Sequence, residues 1–315
     1  MPSSAVRSYT DPDDYATAIR GSKTALTVVN RGNFSGKITR IDFHRLWMQR
    51  LSENLPRIMH SSSDSGRAIV SFHTQPGPDL IRAGVAVDCN SIARLGKEHS
   101  YFQRSSGLTC WGSLSLPVKE MQSVGAAIAG SDLTPSDNEV IITPPPAAMA
   151  KLQRLHAEAG RLAESAPELI ANADVARGLE QALIHALVTC LSKVDPGPDS
   201  SAHHRHEKIM RRFHAAIAEH PDEAIYIPDL CTTVGVPERT LRQCCYESLG
   251  MGPKRYLLLR RMNLARQALR KADAAVTTVT DIAVHFGFWN FGRFATEFKA
   301  LFGEVPSMTL RGPAS

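Results

Sequence analysis

The stretch 228-PDLCTTVGVPERTLRQCCYESLG-250 decides the reading of this chain, because its punctuation returns in 278-TVTDIAVHFGFWNFGRFATEFKALFG-303. In the first stretch, Pro228 and Asp229 suit an opening helical turn: proline's φ is already helical, and an acid favours the positive end of the helix dipole. Leu230, Cys231 and Val234 make an apolar side, and Gly235 supplies a tight turn. Pro237 and Glu238 open a second helix with Leu241, Cys245 and Leu249 on one side and Arg239, Arg242 and Gln243 on the other. In the second stretch, Thr278 and Asp281 match a capping box. Ile282, Ala283 and Phe286 face inward, Gly287 turns the chain, and Phe294, Phe298 and Leu301 line the buried side of the next helix. Asn290, Arg293 and Thr296 are left outward, while Phe288, Phe291 and Phe302 read as core or cap residues rather than base-stacking groups. Each stretch is therefore expected to be a helix-turn-helix unit.

Between the units, 253-PKRYLLLRRMNLARQALRK-271 consists of strong helix formers without an internal breaker. Nineteen residues at helical rise span about 28 Å. Two outward helices held by such a rod suit successive major-groove turns of one DNA face, about 34 Å apart. Charge agrees with this. Residues 203–315 carry 16 Lys/Arg against 11 Asp/Glu, which accounts for the whole net charge of +5. Residues 251–271 hold seven of the basic residues and no acid, the footprint of a polyanion partner. Arginine can donate two hydrogen bonds to guanine and glutamine can pair with adenine, whereas Lys254, Arg255 and their neighbours are expected to meet phosphates.

The segment 225–311 resembles the DNA-binding domain of the AraC/XylS regulators. The resemblance rests on 261-RMNLARQAL-269, 282-IAVHFGF-288, 294-FATEFKALFG-303 and Pro306; Val305 departs from the small or hydroxyl residue usual before that proline. It implies two helix-turn-helix units joined by a long helix. The family's base-reading positions fall on Arg239, Arg242 and Gln243 in the first unit and near Asn290, Arg293 and Thr296 in the second. It also implies a transcription regulator, by family tendency an activator that recruits RNA polymerase. The stretches 287–290, 294–296 and 306–310 are most similar to the ethanolamine-operon type of regulator, a local likeness that transfers no effector.

Residues 1–142 read as strand-rich, with runs such as 25-ALTVV-29, 68-AIVSF-72, 83-AGVAV-87 and 139-EVIIT-143 between turn residues at 33–36 and 75–78. A β-sandwich or small barrel is expected, ambiguous over 40–60, with weak similarity to the cupin-like sensor domains of such regulators. That similarity implies an unknown small-molecule effector and no defensible contact residue. Pro144, Pro145 and Pro146 end the block. Leucines then recur at helical spacing at 152, 155 and 162, and at 179, 183, 187 and 191; they suit packing on the β block or, slightly favoured, a homodimer contact through 147–193. The expected α+β organisation is a sensor or dimerisation domain over 1–193, a linker over 194–204, and an all-α DNA-binding domain over 205–315.

No cofactor or metal is expected. The six cysteines show no CxxC spacing, and His203, His204 and His206 stand in a Ser-flanked segment without Cys company. A cupin metalloenzyme would need a His-x-His set that residues before 203 do not contain, since His60, His73 and His99 are isolated. An architectural DNA-binding protein without effector is the other alternative. No apolar run suits a membrane span or secretion signal, so a cytoplasmic partner of double-stranded DNA is expected.

Overall fold

Period-two alternation builds the first half of the molecule. The computed structural model describes residues 1–63, 66–78, 80–97, 100–192, 201–219 and 225–312. Its chain runs β1 (Ser3–Tyr9), α1 (Pro12–Thr17), β2 (Ser22–Val28), β3 (Gly36–Asp42), β4 (Trp47–Glu53), β5 (Arg57–Ser63) and β6 (Arg67–His73). Then come β7 (Leu80–Arg82), β8 (Val85–Val87), β9 (Ile92–Arg94), β10 (Ser100–Ser105), β11 (Thr109–Pro117), α2 (Val118–Ala129) and β12 (Val140–Ile142). The ambiguous 40–60 region is thus three strands. One sheet has the order β1-β3-β4-β11-β6-β9-β12 and the other β2-β5-β10-β7-β8, each strand antiparallel to its neighbours.

Because successive side chains point to opposite faces, each sheet feeds two cores. Leu26, Ile38, Leu51, Met59, Tyr101 and Trp111 meet between the sheets, with Tyr15 of α1. Ile41, Met48, Phe72 and Leu114 face outward from the larger sheet and are covered by α3 (Pro146–Ser165), α4 (Pro167–Ala171) and α5 (Ala173–Ser192). The expected helix over 168–193 is broken at Asn172, whose carboxamide oxygen accepts from the N–H groups of Asp174 and Val175 and starts α5. Leu152, Leu183 and Leu187 are fully buried on the chain's own sheet. This corrects the basis of the favoured dimer reading: the leucine repeat covers the β block.

The C-terminal part is all helical: α6 (Ser201–Glu219), α7 (Ile227–Val234), α8 (Glu238–Leu249), α9 (Pro253–Lys271), α10 (Val279–His285), α11 (Phe291–Phe302) and α12 (Pro306–Arg311). Most of the expected linker lies outside the described residues, and 201–204 already belong to α6. No helix among the described residues is long and apolar enough to cross a membrane.

An ionic network occupies the space between the sheets. Glu53 and Arg57, both about 1% exposed, pair at 2.5 Å. Tyr15 Oη and Trp111 Nε1 donate to the same carboxylate, and Arg57 donates to the Gln103 carbonyl. Beside it, Ser71, His73, Arg82, Gln103 and Trp111 border a void of about 10 Å³, enough for about one water. A buried charge stripped of its partner is costly, so Glu53→Gln should lower unfolding free energy by roughly 3–5 kcal/mol in urea titration. Adding Arg57→Met should recover much of that loss.

Candidate nucleic-acid interface

The two helix-turn-helix units are punctuated as their sequences require. Helix α7 ends at Gly235 and α8 at Gly250, both in the left-handed conformation, with φ of 75° and 73°. Thr278 and Asp281 form the expected capping box of α10. Helix α11 starts at Asn290, whose Oδ1 accepts from the Arg293 N–H at 3.0 Å, and ends at left-handed Gly303.

Helices α8 and α11 are each 12 residues long and each is followed by a left-handed glycine. Laid cap to cap, Leu241, Cys245 and Ser248 match Phe294, Phe298 and Leu301, and all six are buried. The same register matches Arg239, Arg242 and Gln243 to Gly292, Ala295 and Thr296. The two outward faces therefore differ in chemistry.

Between these helices and the start of α9 lies a groove of about 760 Å³, bordered by Arg242, Tyr246, Lys254, Arg255, Trp289 and Arg293. Every anticipated contact residue is exposed, but most are held by neighbours. Arg242 pairs with Glu238 at 2.5 Å and Arg293 with Glu297 at 2.9 Å. Gln243 donates to Glu247, and the Thr296 hydroxyl donates to the Gly292 carbonyl. Exposed pairs of this kind contribute about 0–1 kcal/mol and exchange readily for another anion. Phe288 is buried as expected, but Phe291 is not a core residue: it is 43% exposed, beside Trp289 at 74%. Sequence spacing missed both, since aromatics default to the core.

The basic stripe of α9 is divided. Lys254 and Arg255 are exposed at the groove. Arg261 covers the Phe288 ring and donates to the carbonyls of Phe286 and Gly287. Arg266 and Arg270 instead grip the first domain, which corrects the expectation that the whole stripe meets phosphates. Asp11, the N-cap of α1, uses one oxygen on the N–H groups of Asp13 and Asp14 and the other on Arg266 and Arg270. Gln267 donates to Asp13 at 2.6 Å, and Arg270 reaches Asp14. One turn earlier, Asn263 donates to the Val28 carbonyl and accepts its N–H, completing the edge of the smaller sheet. Ile58 and Phe102, on the outer face of that sheet, share a core with Phe213, Leu241 and Tyr256. There the His60 and His214 rings stack at 3.3 Å; burial, then nearby charge that includes Arg260, holds His60 near 3 and His214 near 4.

Residues 230–312 match the family model described as a helix-turn-helix domain. The chain is 41% identical over 103 residues to a probable thc operon regulatory protein of Rhodococcus erythropolis, covering 33% of this chain and 31% of that one. It is 34% identical over 95 residues to a XylDLEGF operon transcriptional activator of Pseudomonas putida, covering 30% of each. The matched part thus spans less than a third of these curated relatives. Among solved structures, it is similar to a probable AraC family transcriptional regulator from Rhodopseudomonas palustris, at 31% identity and a TM-score of 0.30, covering 33% of this chain and 94% of that one.

The acidic clamp on α9 should respond to pH. Burial, then the Asp11 charge, pushes Asp13 up to about 6. Burial alone would raise Asp11, but Arg266, the Asp14 N–H and Arg270 outweigh it and hold that carboxyl low. At pH 7 Asp13 is thus ionised at a cost that protonation relieves, so docking should tighten from pH 7 towards 5, while Asp11, held below the usual carboxylate range, stays ionised over that interval. Protection of α9 amides from hydrogen exchange, relative to their intrinsic rates, should rise over that range in the wild type and change less in Asp13→Asn. Equal pH dependence in both would assign the response to other groups.

Proposed function

We propose that the chain is a sequence-specific, DNA-binding transcription regulator of the AraC/XylS type. The observation that carries the proposal is the repeated unit. Two 12-residue helices in the same register expose corresponding faces, joined through one 19-residue helix, with Lys254 and Arg255 between them. In this reading α8 contacts base edges through Arg239, Arg242 and Gln243, and α11 enters the next groove segment with the face bounded by Asn290, Arg293 and Thr296. Lys254 and Arg255 meet phosphates. One chain carries both readers, so two groove segments can be bound without a second copy.

Activation through RNA polymerase, in the cytoplasm, is proposed from the relatives named as activators. Response to a small effector is proposed from the clamp: the first domain holds α9 through Asp11, Asp13 and Asp14, so an effector that moves α1 or β2 would act on the helix that spaces the readers. The likeness to the ethanolamine-operon type supports DNA reading alone. An architectural role fits less well, because a passive DNA binder has no use for a docked β domain of this size.

Binding-site selection with the full chain should yield one motif of about two helical turns. Arg239→Ala or Arg242→Ala should weaken binding by about 1–3 kcal/mol and relax preference at one position. Lys254→Ala and Arg255→Ala should weaken all sequences alike and reduce the salt slope by about one per contact. A selection without a motif would favour the architectural role.

A further inference from the structure

We infer that the second unit reads thymine methyl groups through Phe291, while Gly292 and Ala295 let α11 approach the base edges closely. The inference deepens the DNA-reading proposal and rests on it. Where the first unit presents Arg239, Arg242 and Gln243, the matching positions of α11 are Gly292, Ala295 and Thr296. Of the polar groups bordering that face, Asn290 Oδ1 is taken by its cap and the Thr296 hydroxyl by the Gly292 carbonyl, while Arg293 sits at its edge in an exposed pair with Glu297 as exchangeable as that of Arg242 with Glu238. What α11 offers outward at its start is Phe291, 43% exposed.

Gly292 is not demanded by the fold. Its φ is not among the positive values, and a Cβ added there would meet only Asn290 Oδ1, at 3.8 Å. Glycine weakens a helix in which it has no conformational role. Its usefulness here is the absence of a side chain on a face that another molecule approaches. The major groove offers one apolar feature, the C5 methyl of thymine, and phenylalanine is suited to contact it. The basic groove beside this face, with Lys254, Arg255 and Arg293, matches the phosphates on either side. The two units would then differ, the first reading by hydrogen bonds and the second by methyl contact, so a site has a direction and one chain binds it in one orientation.

The test uses the full chain and its selected duplex, with each thymine replaced in turn by deoxyuridine, which removes only the C5 methyl. Affinity should fall about three- to fivefold at one or two positions near one end of the site. Phe291→Ala should abolish that sensitivity, and Arg239→Ala should leave it intact. Gly292→Leu should retain the thermal midpoint and bind the duplex at least tenfold more weakly. Tolerance of deoxyuridine everywhere, or equal sensitivity in Phe291→Ala, overturns the inference while leaving the DNA-reading proposal standing. So does a Phe291→Ala chain with altered sedimentation and unaltered duplex binding, which would assign the face to a contact between copies. Failure to select any sequence overturns both.

Discussion

Helix α9 has no idle side, and that constraint organises the molecule. Tyr256 and Leu257 near its start close the core of the first helix-turn-helix unit. Leu259, Met262, Ala265 and Leu269 close the core of the second. Asn263, Arg266, Gln267 and Arg270 hold the β domain. At about 100° per residue a helix presents several stripes, and here three bodies share them. Any shift of α9 therefore changes the relation among all three at once.

The clamp also alters how the charge of the second half should be counted. The excess of positive residues lies beyond 203, yet Arg266 and Arg270 are neutralised by Asp11 and its neighbours when the domains are docked. The positive charge facing the groove is correspondingly concentrated at Lys254 and Arg255, since Arg242 and Arg293 are paired with Glu238 and Glu297 of the same lining. A docked β domain thus does two things to the DNA-binding half: it narrows where the field is strong, and it ties the spacing of the units to its own state. Burial strengthens the coupling. Asp11 is 5% exposed, and a carboxylate so placed is held by its arginines because losing them would leave an uncompensated charge.

The space between the two sheets of the β domain is packed, and the larger hollow of about 260 Å³ lies elsewhere, bordered by Lys37, Arg50, Thr74, Cys110 and Glu164. Glu53, Arg57, Tyr15 and Trp111 fill the space between the sheets with a mutually satisfied network. A responsive element built on this scaffold is more naturally found at its periphery, where α1 and the edge strand β2 meet α9, than in the packed middle. That is also where the two domains exchange directional hydrogen bonds rather than apolar contacts alone.

The two helix-turn-helix units were legible in the sequence because their signals are local: a capping box at Thr278, turn glycines at 235 and 287, and apolar residues at helical spacing act within a few residues of one another. The helical rod over 253–271 was legible for the same reason. The β domain could be recognised as strand-rich, but β1, α1 and the pairing order could not be read, since partners such as Ser3 and Asp42 lie far apart in the chain. Likewise, Arg255 and Arg266 look alike in sequence as members of one basic stripe; only the docked fold sends Arg266 to Asp11 and leaves Arg255 exposed. Phe291 followed the same rule in reverse: spacing left it as a core or cap residue, and its place directly after the N-cap of α11 leaves it 43% exposed. Local chemistry determined the elements and their ends; long-range packing alone decided which of their side chains were left for another molecule.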